Sequence, residues 1–427
     1  MKKVKPIVSV ILILVLLSLP SCVMPSVGKM RQEVMTDAIE PLKEGGTLTD
    51  NRHGASSDGG SPNPGFSDAE NRILEGLVSM EEKISLEGLG LSSDALRAAF
   101  CRVVNYSPEL FYVSSTYSYS HIGRDITAVF PSYLFGKDET EKKMAFFKES
   151  VKKLTAGVDP DWSDLEKAIY LHDAIVSHYE YDTEHENFDA YSFFKTGRGV
   201  CQAYTLAYLA VLSEVGVTAD IATSAEMDHT WNKVMIDGAW YHVDVTWDDP
   251  VGNVPGESQH QYFLLSDSGV DKRGKIHSGW ESVLYESVCA DVRYDDFFWK
   301  DVMTPFAPLG GEWYFISPGE EETYLCKTDF VTAENVTVLE GAWDVLDEEN
   351  MIWIGFFSGM FPLDGKIVYN TGTSVMEYDP ADGSSTLAGA PELGDSRIYG
   401  CYPEDGKIMC VLSREPHSVD YTVVPVK

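Results

Sequence analysis

The stretch Gly199-Val200-Cys201-Gln202-Ala203-Tyr204 decides the fold. Apolar residues recur at helical spacing from Ala203 onward and stop at Val215-Gly216, so the pattern predicts a helix with Cys201 in its first turn. The amino end of a helix carries partial positive charge, which favours a thiolate over a thiol. We therefore interpret Cys201 as a candidate nucleophile.

A predicted hairpin downstream supplies the two side chains that a thiol nucleophile needs. Asp237-Gly238 lies between two strand-like runs, and this pair is a strong signal for a two-residue turn. Extending the ladder away from that turn, with side chains alternating between faces, puts His229 and Asp244 on one face. As diagonal neighbours their Cα atoms would lie roughly 7–8 Å apart, within reach of an imidazole and a carboxylate.

Cys, His and Asp in this order suit acyl transfer through a thioester. Cys201 would attack a carbonyl, and His229 would take the thiol proton and return it to the leaving amine. Asp244 would hold the imidazole tautomer, and the backbone N–H of Cys201 would be one oxyanion donor. Candidates for a second donor, or for the walls of the cleft, are Gln202, Tyr179, Tyr181 and Trp231.

Two other residues compete for the roles of base and orienting acid, namely His242 and Asp228. His242 shares the predicted face, but it lies opposite Lys233, nearer the turn than the proposed site. The ten His residues are scattered, and neither His-x-x-x-His nor Cys-x-x-Cys occurs, so we predict no zinc centre. The stretch 197–199 lacks the Lys-Ser/Thr ending of a phosphate loop, and we predict no metal and no other cofactor.

These elements resemble the core of the transglutaminase-like superfamily, which is similar in fold to papain-type cysteine proteases. The resemblance rests on Gly-Val-Cys-Gln-x-Tyr at 199–204, His-x-Trp-Asn-x-Val at 229–234 and Trp-Tyr-x-Val-Asp-x-Thr-Trp-Asp at 240–248. It covers roughly residues 165–266, and 107–113 more weakly resembles a segment preceding this core in Gram-positive bacterial surface members. The resemblance implies a triad of Cys201, His229 and Asp244. It does not fix the reaction, because members are similar to cross-linkers, peptidases, amidases and inactive scaffolds.

The amino-terminal residues predict export. Residues 1–21 have a basic start and an apolar run that is short for a membrane span, as in a signal peptide. The stretch 19–22, Leu-Pro-Ser-Cys, resembles a bacterial lipobox, which implies cleavage before Cys22 and its lipidation; an ordinary secretory signal is the alternative. Residues 22–65 have too little apolar content to bury and are predicted to be a flexible tether. We expect a lipid anchor to hold the protein on the extracellular side of a bacterial membrane.

Composition limits the partners. Across 427 residues, 33 Lys and Arg face 67 Asp and Glu, giving a formal net charge of −34, which disfavours nucleic acid and anionic surfaces. Of the seven Cys, Cys22 is assigned to lipid and Cys201 to chemistry, and the odd number left implies no complete disulfide framework. Cys401 and Cys410 are spaced to suit facing strands.

We predict an α+β protein in three parts. They are an N-terminal α+β subdomain at 66–156, a papain-like transglutaminase core at 157–290 and a C-terminal all-β domain at 291–427. Asp-Gly-Lys-Ile recurs at Asp364 and Asp405, 41 residues apart, which is close to the period of a propeller blade. A small sandwich or an incomplete meander accounts equally well for the last part.

The expected function is exported, cysteine-dependent acyl transfer on protein or peptide amides. We favour hydrolysis, as a peptidase or amidase, over cross-linking to a Lys amine, because bulk water dominates at a cell surface. The alternative is a catalytically inactive surface module that binds peptide or glycan. The presence together of Cys201, His229 and Asp244 argues against that alternative, since a scaffold does not need all three.

Overall fold

The computed structural model describes residues 13–16, 66–272, 277–283, 287–318, 323–330, 332–341, 346–348, 351–353, 359–415 and 420–426. Most of the predicted signal peptide, the whole predicted tether and the predicted lipidation site Cys22 lie outside these residues. The described chain combines helices with mainly antiparallel sheets, which confirms the α+β class. Among the described helices, none combines the length and the apolar character needed to cross a membrane.

The first part of the chain packs helices against an antiparallel sheet. Its elements are β1 (Ile13–Leu16), α1 (Asp68–Val78), β2 (Ile84–Ser85), α2 (Ser93–Tyr106), β3 (Val113–Ile122), β4 (Asp125–Tyr133) and α3 (Lys137–Thr155). The sheet order is β1-β3-β4-β2, so β1, which comes from within the predicted signal peptide, pairs with β3. Both α1 and α2 begin after a Ser whose side chain accepts a backbone N–H of the first turn, a cap that the local sequence supplies.

The central part contains a five-stranded sheet with helices packed against it. Its helices are α4 (Asp164–Val176), α5 (Ala190–Thr196), α6 (Cys201–Glu214) and α7 (Asp267–Val270). Its strands are β5 (Glu180–Tyr181), β6 (Arg198–Gly199), β7 (Ala219–Ser224), β8 (His229–Ile236), β9 (Ala239–Val243), β10 (Phe263–Leu265) and β11 (Trp280–Ser282). The large sheet has the order β10-β9-β8-β7-β11, while β5 and β6 form a separate parallel pair just before α6.

The predicted hairpin is confirmed up to the end of β9. Asp237 and Gly238 have φ angles of 52° and 81°, and the residues that flank this turn pair directly. The ladder stops at Val243, so the expected extension of regular pairing to Asp244 is wrong. The N–H of Asp244 donates to the carbonyl of Tyr262, next to β10, at 3.1 Å, and the N–H groups of Trp247 and Asp248 donate to the carbonyl of Asp244 at 3.2 Å, so the chain turns away from β8 there.

From residue 307 onward the described elements are strands. They are β12 (Ala307–Leu309), β13 (Glu312–Pro318), β14 (Thr323–Asp329), β15 (Glu334–Glu340), β16 (Leu346–Glu348), β17 (Met351–Trp353), β18 (Met360–Leu363), β19 (Lys366–Asn370), β20 (Val375–Asp379), β21 (Ser384–Gly389), β22 (Arg397–Glu404), β23 (Lys407–Ser413) and β24 (Thr422–Pro425). Strands that follow one another in sequence form four separate sheets, β12 to β15, β16 with β17, β18 to β21, and β22 to β24.

The repeated Asp-Gly-Lys-Ile occupies equivalent places in two of these sheets. Asp364 and Asp405 have φ angles of 49° and 47° and begin the first hairpin turn of successive meanders. Cys401 lies directly opposite Cys410 on β22 and β23, as their spacing suggested, and neither forms a disulfide. The repeat therefore marks a recurring hairpin in consecutive antiparallel meanders.

A buried polar network ties α4 to the segment between β9 and β10 and to a segment that follows the central sheet. Four donors converge on the carboxylate of Asp173, at 2.7–3.0 Å: His172 Nδ1, Ser258 Oγ, His260 Nε2 and the backbone N–H of Phe306. Burial alone lowers the pKa of His172, but hydrogen bonds to Asp173 and Asp248 raise it to about 9. His172 is therefore a buried imidazolium at neutral pH, held between two carboxylates. The apolar core around it runs continuously from Phe66 to Phe330, and the predicted domain bounds stay a prediction.

Candidate active site

Cys201 is the first residue of α6, as predicted, and it is buried. The residue before it, Val200, is extended and caps the helix without a side-chain hydrogen bond. A Cβ at Gly199 would lie 2.5 Å from Phe193 and 2.6 Å from Ala203, so only glycine lets the chain enter the helix this closely. The first N–H groups of a helix have no acceptor within that helix, which makes this end suitable for stabilising negative charge.

Two hydrogen bonds join the start of α6 to the start of β8. The hydroxyl of Thr205 lies 2.8 Å from the carbonyl oxygen of Cys201 and 3.0 Å from that of Thr230. The side-chain amide of Asn232 donates to the carbonyl of Thr205 at 3.1 Å. Thr205 is one helical turn after Cys201. These bonds therefore place the amino end of α6, where Cys201 lies, beside the start of β8, where His229 lies.

His229 and Asp244 are in direct contact. The His229 Nε2 lies 2.6 Å from Asp244 Oδ2, and the exposed fractions of the two residues are 9% and 1%. Burial opposes ionisation of Asp244, but the positive charge of His229 and hydrogen bonds to Oδ2 hold the pKa of this carboxyl well below its ordinary value. The lowered pKa favours the carboxylate form of Asp244, which suits this residue to hold an imidazole.

Two indoles fix the ring of His229. Trp231 and Trp247 stack on it, with ring centroids 5.5 Å and 5.0 Å away and interplanar angles of 22° and 17°. With Nε2 bonded to Asp244, Nδ1 is the ring nitrogen left for proton exchange with a thiol. The stacking restricts rotation of the ring, so this nitrogen keeps one direction.

The structure also places the two competing residues. His242 accepts from the indole N–H of Trp231 at 2.9 Å through Nδ1, and its Nε2 lies 2.9 Å from Asp267 Oδ1. Both nitrogens of this buried ring are therefore engaged away from Cys201. Asp228 is exposed, with a φ of 50°, in the turn that precedes β8. Of the acids considered from the sequence, Asp244 is the one bonded to His229.

The remaining predicted residues lie around the start of α6. Gln202 is the second residue of that helix and is half-buried. Tyr181 pairs with Gly199 across the short β5–β6 ladder, two residues before Cys201. Tyr179 stacks on the Phe193 ring at 4.4 Å, and burial raises its pKa to about 12. Tyr179 is thus part of the aromatic core under the helix start, and Trp231 forms a wall of the His229 pocket.

His277 is the residue that the sequence did not single out. Its Nε2 lies 2.8 Å from Asp244 Oδ2, and the residue is 1% exposed. It precedes β11, which pairs with β7 so that Ser224 lies between Trp280 on one side and His229 on the other. No spacing rule connects His277 with Asp244, because the addition of β11 to the sheet edge creates the contact.

Three groups, buried except for the half-buried Asp267, bring potential metal-ligand atoms within 4.8 Å of one another among the described residues. They are His172, Asp173 and His260; His229, Asp244 and His277; and His242, Asp267 and Cys289. In each group an imidazole nitrogen lies 2.6–3.0 Å from a carboxylate oxygen, which is the distance of a hydrogen bond. The expectation that the protein needs no metal stays a prediction.

Comparison with known proteins agrees with the predicted family. Residues 148–245 match the model of the transglutaminase-like superfamily, so the chain contains a transglutaminase-like domain. No protein of curated function matches the chain.

Eleven chains of known structure match. One, from Cytophaga hutchinsonii, is described as a candidate cysteine protease; it is 18% identical over 24% of this chain and 37% of its own, with a TM-score of 0.20. Another is described as a TGase and is 13% identical over 32% and 45%, with a TM-score of 0.22. Each alignment therefore spans less than half of the solved chain.

Proposed function

We propose that the transglutaminase-like domain of this chain catalyses acyl transfer from protein or peptide amides through a thioester on Cys201. The observation that carries the proposal is the buried His229–Asp244 pair at 2.6 Å, set beside the helix start where Cys201 lies. A buried carboxylate on one imidazole nitrogen is the arrangement that prepares the other nitrogen to act as a general base.

The chemistry follows from these positions. The Sγ of Cys201 attacks the amide carbon, and its proton passes to His229 Nδ1. The carbon–nitrogen bond then breaks, and His229 gives the proton to the leaving amine. Asp244 stabilises the imidazolium between these two transfers. The oxyanion of the tetrahedral intermediate, which forms when the thiol attacks, is stabilised by the backbone N–H of Cys201 at the start of α6.

Water or an amine can accept the acyl group from the thioester. Water yields a carboxylic acid and the free thiol, whereas a Lys amine yields an isopeptide and the free thiol. We propose hydrolysis as the main outcome, because water far exceeds amines at a cell surface. The competing proposal is a catalytically inactive surface module that binds peptide or glycan, and the thiol chemistry of Cys201 separates the two.

We also propose that the protein is exported and anchored through a lipid on Cys22. Two features support this proposal. Residues 1–22 have the basic start, the apolar run and the Leu-Pro-Ser-Cys ending of a lipoprotein signal peptide. The acidic composition suits an exported protein and disfavours nucleic acid. Expression of the full chain with a labelled fatty acid tests this proposal. Label should enter the wild-type protein and be lost in Cys22→Ala, and an unlabelled wild-type protein in the membrane fraction would contradict it.

The enzyme proposal is tested by alkylation of Cys201 with iodoacetamide at about pH 6, followed by peptide mapping. An ordinary thiol, with a pKa of about 8.5, reacts slowly at that pH. Cys101 is an internal reference, because it is partly exposed and burial raises its pKa. The variant His229→Ala removes the proposed base, and His121→Ala is a matched control at the β3–β4 hairpin.

Fast labelling of Cys201 that is lost in His229→Ala and kept in His121→Ala would support a thiolate–imidazolium pair. Slow labelling of Cys201 in folded wild-type protein would refute the enzyme proposal and favour the binding module. A peptide library with and without an added primary amine then separates the two reactions by mass. Release of the carboxylic acid product in both conditions supports hydrolysis, and amine adducts as the main product would contradict it.

A further inference from the structure

One oxygen of Asp244 serves two imidazoles. Its Oδ2 lies 2.6 Å from His229 Nε2 and 2.8 Å from His277 Nε2. Its Oδ1 accepts the backbone N–H of Trp247 at 3.2 Å. A Cys-His-Asp triad needs only the first of these contacts, so the second imidazole calls for a separate explanation.

The surroundings of His277 indicate which of its nitrogens carries the proton. Its Nδ1 is buried and has no hydrogen-bond partner among the residues that the structure describes. A buried N–H without an acceptor costs roughly 1–3 kcal/mol, whereas a proton on Nε2 has the Asp244 carboxylate as its acceptor. His277 therefore donates to Asp244 through Nε2.

Contacts with neighbouring groups fix the position of His277. The next residue, Ser278, accepts a hydrogen bond at 2.6 Å from the hydroxyl of Ser224, which ties this segment to the end of β7. The imidazole itself packs against Trp247 and Trp231, with ring centroids 4.1 Å and 4.5 Å away. The same two indoles stack on His229, so the positions of both imidazoles are set by one aromatic cluster.

We propose that His277 is a positioning residue that fixes the carboxylate of Asp244 so that it holds His229 in the tautomer with a free Nδ1. This inference rests on the proposed function. Without the second donor, the carboxylate keeps, among the described residues, only the Trp247 N–H besides His229, and it can rotate about its Cβ–Cγ bond. The imidazole of His229 would then be held in its productive orientation for a smaller fraction of the time. The hydrogen bonds that orient metal-binding imidazoles are worth about 10–100-fold in affinity or activity, and we expect a loss of the same order here.

The test compares variants that keep or remove the donor at the Nε2 position. The amide nitrogen of Gln reaches the place of an imidazole Nε2, so His277→Gln keeps the donor, whereas His277→Asn is too short and His277→Leu has none. His260→Leu is a matched control, because it removes a buried His whose Nε2 contacts another Asp at 2.7 Å. The readout is the rate of Cys201 alkylation as a function of pH in the full chain, with thermal unfolding measured beside it.

The expected result is that His277→Leu and His277→Asn react about 10–100-fold more slowly than wild type at pH 6 and shift the alkylation profile towards that of an ordinary thiol. His277→Gln and His260→Leu should keep the wild-type profile. If His277→Leu does not fold, the comparison of the His277→Gln and His277→Asn alkylation profiles tests the positioning role.

Three outcomes would overturn the inference, and they are distinguishable. A wild-type profile in folded His277→Asn, alongside loss of fast labelling in His229→Ala, would refute the positioning role and leave the proposed function standing. An ordinary thiol profile in the wild-type protein would refute both. Equal slowing in the Gln, Asn and His260→Leu variants would assign His277 a structural role only.

Discussion

Replacing Asp173 by Asn should destabilise the protein by about 3–5 kcal/mol, the usual cost of removing one partner from a buried ion pair. Oδ1 of Asp173 accepts from two imidazoles and from the hydroxyl of Ser258, and Oδ2 accepts the N–H of Phe306 at 2.7 Å. An Asn whose oxygen takes the Oδ1 place must turn its amide nitrogen towards Phe306. Two donors then face each other in a dry site, at roughly 1–3 kcal/mol per unsatisfied group. The imidazolium of His172 also loses one of its two carboxylates.

Urea unfolding followed by tryptophan fluorescence measures this loss, because several indoles lie in the core that the network joins. Asp161→Asn is the matched control: it makes the same chemical change at an exposed position of the same segment and should stay within about 0.5 kcal/mol of wild type. A free energy of unfolding for Asp173→Asn within about 1 kcal/mol of wild type would refute the account of this network as a structural tie.

Three further predictions follow from other contacts. Folding raises the pKa of His172 from 6.5 to about 9, so its contribution to stability is fully present below pH 6.5 and lost as the pH rises through 9; denaturation midpoints across this range should fall, and more steeply in wild type than in His172→Gln. Gly256→Ala should unfold at clearly lower urea than Gly238→Ala, because both have positive φ but only at Gly256 would a Cβ meet the backbone of β22, at 2.7 Å; equal midpoints would exclude a tight contact there. Asp244→Asn should slow alkylation of Cys201 at pH 6 by about a hundredfold or more, since an amide nitrogen facing Nε2 favours the wrong tautomer; an unchanged rate would disprove its orienting role.

Much of the core could be predicted because its signals are local. The helix at Cys201 begins where Gly199 permits the close approach to Phe193, and the apolar periodicity that follows is legible from the sequence. The Asp-Gly turn set the pairing of β8 with β9, because its two positive φ angles match the twist of a two-residue hairpin. From these two elements alone, His229 and Asp244 could be brought to one site.

The prediction failed at the end of β9. The ladder was expected to continue to Asp244, but it ends at Val243, because the chain turns there: the N–H groups of Trp247 and Asp248 both donate to the carbonyl of Asp244 at 3.2 Å. The side chain still reaches His229, by way of a turn. The alternation of side chains along a regular ladder correctly predicted that Asp244 lies beside His229, although the ladder itself does not extend to Asp244.

The sequence by itself determined the position of Cys201 at a helix start, the turn and register of the hairpin, and the pairing of Cys401 with Cys410 on facing strands. Each of these depends on residues within one or two turns of chain, where backbone preferences and side-chain spacing act directly. Only the tertiary structure decided that His277 shares Asp244 with His229, and that His260 and Phe306 converge on Asp173. Those contacts join segments 33 to 133 residues apart, and they exist because strand addition and core packing bring together groups that no local pattern relates.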